Sequence, residues 1–223
     1  MISFLSHYLF KHSTRSRQLV IGILVIAFSA ATNAQVRSVF VNHGQGVAPW
    51  TMSLQFGQIK MANKQAKTTK SSLVASKTVD DNDAINLVWR SRGVKNQWGS
   101  EDKSVSTLNV INGQYVSDFS NNVENSALLL NIRINKAPNK NVELTMECNW
   151  DWQCRSSIPL KNMLKGLPKE KWLNVPVPVK CFDHSAFDLT KITSPFMLYT
   201  GGRMDIDIRS ISIITLPEGN FAC

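Results

Sequence analysis

The sequence lacks the motifs on which common enzyme classes depend. It contains no Gly-x-Ser-x-Gly, no His-Glu-x-x-His and no glycine-rich phosphate loop. A hydrolase without these motifs needs a nucleophile beside a base, or two carboxylates across a cleft, and neither can be assembled convincingly from this sequence. We therefore predict that the protein is not an enzyme. A hydrolase with two carboxylates facing each other in a groove is the least favoured alternative.

Long hydrophobic runs are also lacking. The apolar segment 19–31 has 13 residues, whereas a membrane-spanning helix needs about 20. Basic residues precede this segment and Thr32-Asn33-Ala34 follows it, which is typical of a secretory signal peptide cleaved before Gln35. We predict a signal peptide over 1–34 and a periplasmic or extracellular mature domain over 35–223, with no stable membrane insertion. An uncleaved signal anchor is the alternative.

Acidic residues are fewer than basic ones, 16 against 25. Cleavage would remove three basic residues and leave 22 basic against 16 acidic, a formal net charge of +6. This moderate charge on an exported protein argues against a nucleic acid partner. One polar stretch contains five lysines: Lys60, Lys64, Lys67, Lys70 and Lys77. We interpret this stretch as a solvated loop or sheet edge, with an anionic-ligand patch as the alternative.

What the sequence does contain is a strand-like alternation of apolar and polar residues. Between Ser126 and Asn135, every second residue from Leu128 to Ile134 is aliphatic, and 142–148 repeats the pattern, with Glu143, Thr145 and Glu147 predicted to face water. Antiparallel sheets with one solvated face produce this signature. About ten such segments predict an all-β fold, a jelly-roll β-sandwich in one domain.

Other local signals refine this prediction. The apolar phase slips by one residue near Arg209 or Ser210, which predicts a bulge. One short helix is expected over 159–165, and prolines at positions 176 and 178 predict an edge strand. Trp50 and Trp89 alternate in step with the core-facing residues of their strands, so both are predicted to be core residues. Phe56 is predicted to lie on the same strand face as Trp50.

Four cysteines in an exported chain predict two disulfides. Sequence proximity favours Cys148 with Cys154, which leaves Cys181 with Cys223. A zinc site is disfavoured, because C-x5-C lacks the usual ligand spacing and the mature chain has only two histidines. One of them, His184, is interpreted as structural.

Tryptophan is where the sequence departs from a plain sandwich. Trp98 lies in a polar context, and Trp150 and Trp152 lie between two cysteines in a segment too short to bury both indoles. In an extended loop these two would project the same way and offer a stacking surface for a sugar, flanked by hydrogen-bonding side chains. The alternative is a lid over the end of the sandwich. The candidate carbohydrate-binding residues are Trp98, Asn149, Trp150, Asp151, Trp152 and Gln153.

No cofactor is predicted. The acidic turn that holds Asp80, Asp81 and Asp83 is interpreted as turn capping, with a structural calcium as the alternative.

Several segments carry a family resemblance, among them 47–52 (VAPWTM), 127–138 (ALLLNIRINKAP) and 142–148 (VELTMEC). Their order and spacing resemble the C-terminal, galactose-binding-like domain of ExoP-type exo-β-glucanases of glycoside hydrolase family 3. The resemblance implies a β-sandwich like those of carbohydrate-binding modules. In that family the sandwich follows a catalytic barrel and an α/β domain, which are missing here, so no residue inherits the catalytic aspartate or glutamate.

The leading hypothesis is an exported, non-catalytic protein that binds a β-glucan or a related polysaccharide or oligosaccharide through exposed tryptophans. The alternative is an accessory or scaffold module that docks onto a separate glycoside hydrolase or envelope protein.

Overall fold

In the computed structural model, two antiparallel β-sheets pack face to face around one apolar core. The structure describes residues 35–91, 94–95, 98–121, 123–182, 186–216 and 223, all within one compact unit. The predicted signal segment and His184 lie outside the described residues. Over the described part of the chain, no helix is long and apolar enough to cross a membrane.

The described residues form fourteen strands and one short α-helix. The elements are β1 (Gln35–Asn42), β2 (Gln45–Gly46), β3 (Thr51–Leu54), β4 (Ile59–Lys60), β5 (Ala66–Lys67), β6 (Leu73–Lys77), β7 (Ile85–Arg90), β8 (Thr107–Ile111), β9 (Ser126–Lys136), β10 (Val142–Cys148), β11 (Asp151–Pro159), α1 (Lys161–Gly166), β12 (Trp172–Pro178), β13 (Ile192–Thr200) and β14 (Arg203–Thr215).

Sheet 1 has the strand order β12-β9-β14-β7-β6-β5, with β1 paired to the second half of β14 and β2 paired to β1. Sheet 2 has the order β11-β10-β13-β8-β3-β4. These two layers confirm the predicted β-sandwich with one short helix. The strands beyond the predicted ten are mainly two-residue pairings, too short to produce a periodic pattern.

The predicted alternation decides which faces are buried. In β9 and β10 the aliphatic residues point into the core, whereas their neighbours lie on the outer faces. A register shift between Ile208 and Ser210 confirms the bulge predicted in β14. The proline-containing strand β12 lies at an edge of sheet 1, as predicted, because proline cannot donate to a second neighbour.

Trp50 and Trp89 are core residues, 7% and 1% exposed. Phe56 departs from the prediction: the backbone turns after β3 with a φ of +48° at Phe56, so its ring leaves the core face and is half-buried outside it. Glu147 also departs from its predicted contact with water. It is 6% exposed, because Arg155 covers it and donates from Nε to its carboxylate at 2.7 Å.

Both predicted disulfides are confirmed. Cys148 bridges Cys154, and Cys181 bridges Cys223. The first closes the β10–β11 hairpin, and the second holds the last residue of the chain beside the edge of sheet 1.

We call the two ends of the sandwich by the chain segments found there. At the hairpin end of sheet 2, Cys148 pairs with Ile192 and Thr51 pairs with Ile111. The opposite end holds Val142, Thr200 and Thr107.

Candidate functional site

The tip of the β10–β11 hairpin is a two-residue turn made by Asn149 and Trp150. Cys148 pairs with Asp151 across it, and the two turn residues have φ values of +55° and +53°. A two-residue hairpin loop with both φ values positive matches the twist of its strands, and asparagine tolerates this conformation. The segment is therefore not the extended loop that the sequence argument assumed, so its period of two does not relate Trp150 to Trp152.

Three hydrogen bonds hold this tip against neighbouring segments. Asn149 N donates to Lys191 O at 3.0 Å, and Trp150 N donates to Thr193 Oγ1 at 3.1 Å. The indole Nε1 of Trp150 donates to Asn112 O at 2.8 Å. The Cys148–Cys154 bridge also links the two strands of the hairpin, so the turn is held in position before any ligand arrives.

The two indoles nevertheless remain accessible. Trp150 is 46% and Trp152 is 70% exposed. Asn149, Asp151 and Gln153 are exposed beside them, and Asp151 Oδ1 accepts a hydrogen bond from Gln153 N at 2.9 Å. Apolar ring surface and polar side chains thus occur together, which is the combination predicted for sugar recognition.

A third aromatic side chain at the hairpin end was missed by the sequence reasoning. Tyr115 is 61% exposed and follows β8 in the loop that Asn112 organises. The buried Asn112 accepts hydrogen bonds from Gln114 N at 2.9 Å and Tyr115 N at 3.2 Å through its Oδ1, while its backbone carbonyl holds Trp150. Tyr115, Trp150 and Trp152 are called the aromatic end below. The Asn-Gly dipeptide at 112–113 was the available signal, since it marks a turn.

Trp98 is also solvent-accessible, at 79%, but the structure places it elsewhere. Its segment is bounded by Ser91, whose N donates to Gly202 O, and by Ser104–Ser106, which leads into Thr107. Both boundaries lie at the opposite end of the sandwich. The structure therefore brings together five of the six candidate residues and leaves Trp98 apart from them.

The outer face of sheet 2 carries a groove that the sequence reasoning did not identify. The half-buried Phe56 covers part of this face, with its ring centroid 5.0 Å from the guanidinium carbon of Arg155. Strand alternation could not reveal the groove, because the turn after β3 carries Phe56 across the sheet. The lining is formed by Phe56, Lys103, Thr107, Glu143, Thr145, Arg155, Ser157, Met197 and Tyr199.

The charges in this groove are paired. Lys103 Nζ lies 2.6 Å from Glu143 Oε2 and 5.5 Å from the Tyr199 ring centroid. Burial raises the pKa of the Tyr199 hydroxyl, and the carboxylate of Glu101 adds to the effect, so the phenol stays protonated and can donate. Glu143 lies on the same strand as Glu147, which pairs with Arg155. These two carboxylates therefore lie four residues apart along one strand, and each is paired with a basic side chain.

The acidic turn after β6 is held by basic side chains. Arg133 donates two hydrogen bonds to Asp80 at 2.6 and 2.8 Å, and these lower the pKa of Asp80 to about 2. Arg209 donates to Asp81 at 2.5 Å and lowers its pKa, and Asp83 lies 3.1 Å from His43 Nδ1. Within the described ranges, no three acidic, histidine or cysteine side chains gather in an arrangement that could hold a metal ion.

The sheets and their connections form a β-sandwich with the fold of galactose-binding-like domains and carbohydrate-binding modules. A family model described as Exop_C, galactose-binding domain-like, matches residues 48–213. The chain belongs to this family, which confirms the resemblance seen in its sequence. A search of curated proteins found no significant match.

Solved structures share the fold at low sequence identity. An exo-1,3/1,4-β-glucanase (ExoP) from a Pseudoalteromonas species is 15% identical with a TM-score of 0.57; the match covers 84% of this chain and 21% of the glucanase. The chain therefore spans about a fifth of that enzyme's length. The isolated extra C-terminal domain of the same enzyme is 14% identical with a TM-score of 0.56, covering 81% of this chain and 93% of the domain.

A family 30 carbohydrate-binding module of a Clostridium thermocellum cellulosomal cellulase is 13% identical with a TM-score of 0.50, covering 82% of this chain and 99% of the module. At these identities the likeness concerns the fold alone.

Proposed function

We propose that the protein is an exported, non-catalytic binder of glycans and that the aromatic end contacts the sugar. The observation that carries the proposal is the combination of exposure and anchoring at the hairpin tip. Trp150 and Trp152 remain open to solvent, while hydrogen bonds to Asn112 and Thr193 fix Trp150. A prepositioned indole can stack on the apolar face of a pyranose without first losing side-chain freedom.

The polar residues beside the indoles supply the second requirement. Asn149, Asp151 and Gln153 carry amides and a carboxylate that can donate to and accept from sugar hydroxyls. A β-glucan is the proposed ligand class, because the chain shares its fold and family with a domain of an exo-1,3/1,4-β-glucanase. Two disulfides support an oxidising periplasmic or extracellular location.

Affinity electrophoresis in gels containing mixed-linkage β-glucan tests this proposal. We expect the wild type to be retarded and Trp150→Ala/Trp152→Ala to migrate as in a glucan-free gel, with unchanged circular dichroism. Trp98→Ala is the matched control, since it removes an exposed indole at the opposite end. Unchanged retardation of the double variant would reject the aromatic end, and loss of retardation in Trp98→Ala alone would move the site to the other end.

The groove on sheet 2 is tested in the same gels. Phe56→Ala opens the groove and removes the ring above Arg155 without touching the hairpin tip. If this variant alone loses retention, the glycan binds on the face of the sheet.

Docking onto a separate glycoside hydrolase or envelope protein is the second candidate function. It is favoured by an apolar groove between the edge strands β11 and β12, lined by Ile158, Met163, Val177 and the Cys181–Cys223 bridge. Glycan retention by the isolated protein would favour the first function, and retention only in the presence of a co-purifying partner would favour docking.

A further inference from the structure

Lys64 is a buried lysine in a chain whose other described lysines are exposed or half-buried. It is 7% exposed and lies in the loop between β4 and β5, where Ala62 pairs with Gln65. Asn63 and Lys64 have φ values of +50° and +60°, so the loop backbone turns the lysine inward. Its ammonium group donates to the backbone carbonyl of Asn82, in the turn between β6 and β7.

No carboxylate of the described residues forms an ion pair with this ammonium group. In the described part of the chain, the ion pairs include neither Lys64 nor the nearby Lys77. The two carboxylates that flank Asn82 belong to Asp81 and Asp83, and they are held by Arg209 and His43. A lysine ammonium has three donors, and one carbonyl satisfies one of them. The remaining donors of this partly buried ammonium group are available to an anion that enters the site.

A cavity opens beside the ammonium group. Its lining combines two lysines with three side-chain amides, all of which can donate hydrogen bonds: Gln45, Asn63, Lys64, Lys77 and Asn82. A second cavity adjoins it, shares Gln45, Asn63 and Lys64, and is walled in part by Trp50. A site with two positive charges and several amide donors matches the oxygens of a carboxylate, sulfate or phosphate group.

The position of the cavity relates it to the aromatic end. Met61 N donates to Met52 O, and Lys77 pairs with Ile85 beside the turn that carries Asn82. Thr51 and Met52 enter sheet 2 at the hairpin end, so the cavity and the aromatic end open at the same end of the sandwich.

We propose that Lys64 and the surrounding amides form an anion-binding site that receives an acidic group, a carboxylate or sulfate, of a charged glycan. The assignment of the anion to a glycan rests on the proposed function, with an acidic glycan as a second ligand beside the neutral β-glucan. The anion site itself rests on the buried lysine and its cavity.

Binding of inorganic sulfate tests the site without any glycan. Thermal unfolding and isothermal titration are compared in sodium sulfate and in sodium chloride of equal ionic strength. We expect sulfate to raise the melting temperature of the wild type, and Lys64→Met to bind sulfate at least about tenfold more weakly, because it removes the charge-assisted hydrogen bonds. Lys67→Met, which removes an exposed lysine from the next strand, should respond as the wild type does.

If Lys64→Met does not fold, Lys64→Arg provides the test, since it keeps the charge and should keep the sulfate effect. Equal responses of the wild type and Lys64→Met to sulfate would overturn the proposal. So would a destabilised Lys64→Met protein in chloride with no sulfate effect in the wild type, because the lysine would then only brace the Asn82 turn.

Gels containing neutral β-glucan, alginate or carrageenan identify the source of the anion. We expect Lys64→Met to lose retention on alginate or carrageenan and to keep it on neutral glucan, whereas the double tryptophan variant loses retention on each polymer that the wild type binds. Sulfate binding without retention on any glycan would leave the anion site standing as a site for free anions and reject the proposed function. Glucan retention without sulfate binding would support the proposed function and reject the anion site.

Discussion

Removing each disulfide in turn should separate stability from glycan binding. The Cys181–Cys223 bridge spans 42 residues of sequence, and its loop entropy is worth about 4 kcal/mol. The Cys148–Cys154 bridge spans 6 residues and is worth about 2.4 kcal/mol by the same reasoning. Both of its sulfurs are buried in the core. Removing each sulfur in an alanine variant adds roughly 1 kcal/mol of destabilisation. The two double alanine variants should therefore be destabilised by similar amounts, about 4 kcal/mol.

Their effects on binding should differ. Cys148→Ala/Cys154→Ala releases the segment that carries Trp152, so we expect weakened retention on β-glucan gels. Cys181→Ala/Cys223→Ala leaves the hairpin end intact and should keep wild-type retention. Urea unfolding gives the stability of each variant, and affinity electrophoresis below the unfolding transition gives the binding.

The result that would refute the reasoning is equal loss of retention in two variants that remain folded. Binding would then depend on the whole domain rather than on the bridged hairpin. Full retention in Cys148→Ala/Cys154→Ala would show that the turn hydrogen bonds alone hold the indoles.

The remaining predictions concern stability. Because Arg133 lowers the pKa of Asp80 from 3.8 to about 2, the unfolded state binds more protons between these values. Stability should fall as pH drops from about 4 to about 2, and Asp80→Asn should flatten that slope in urea unfolding at matched pH. Gly44→Ala should cost about 1 to 3 kcal/mol, since Gly44 has a φ of +66° and a Cβ there would lie 2.6 Å from the Ala84 carbonyl carbon. Gly113→Ala, where a Cβ meets nothing within 4 Å, is the control and should be near neutral.

Much of the architecture was predictable because its cause is local. The alternation in β9 and β10 follows from side chains that point to opposite faces of a strand, and the phase slip in β14 follows from an inserted residue. The prolines of β12 placed it at an edge because they remove ladder donors. The cysteine pairs could be chosen from spacing because a strand ends at Cys148.

The candidate site was less predictable, because its parts come from segments distant in sequence. Trp150 was recognised as exposed, but its partners Asn112 and Thr193 lie 38 and 43 residues away along the chain. Tyr115 became part of the same end only through the loop that Asn112 organises. Phe56 kept a strand-like phase in the sequence, yet a positive φ carried it out of the core.

The sequence by itself determined which faces of the regular strands β9 and β10 are buried, where β14 bends and which cysteine pairing is favoured, since these depend on side-chain period and short-range geometry. Only the tertiary structure decided which exposed aromatics share an end of the sandwich and which lysine becomes buried. Those outcomes depend on turns that pack against strands far away in sequence. The separation of Trp98 from the hairpin and the enclosure of Lys64 are the two clearest cases.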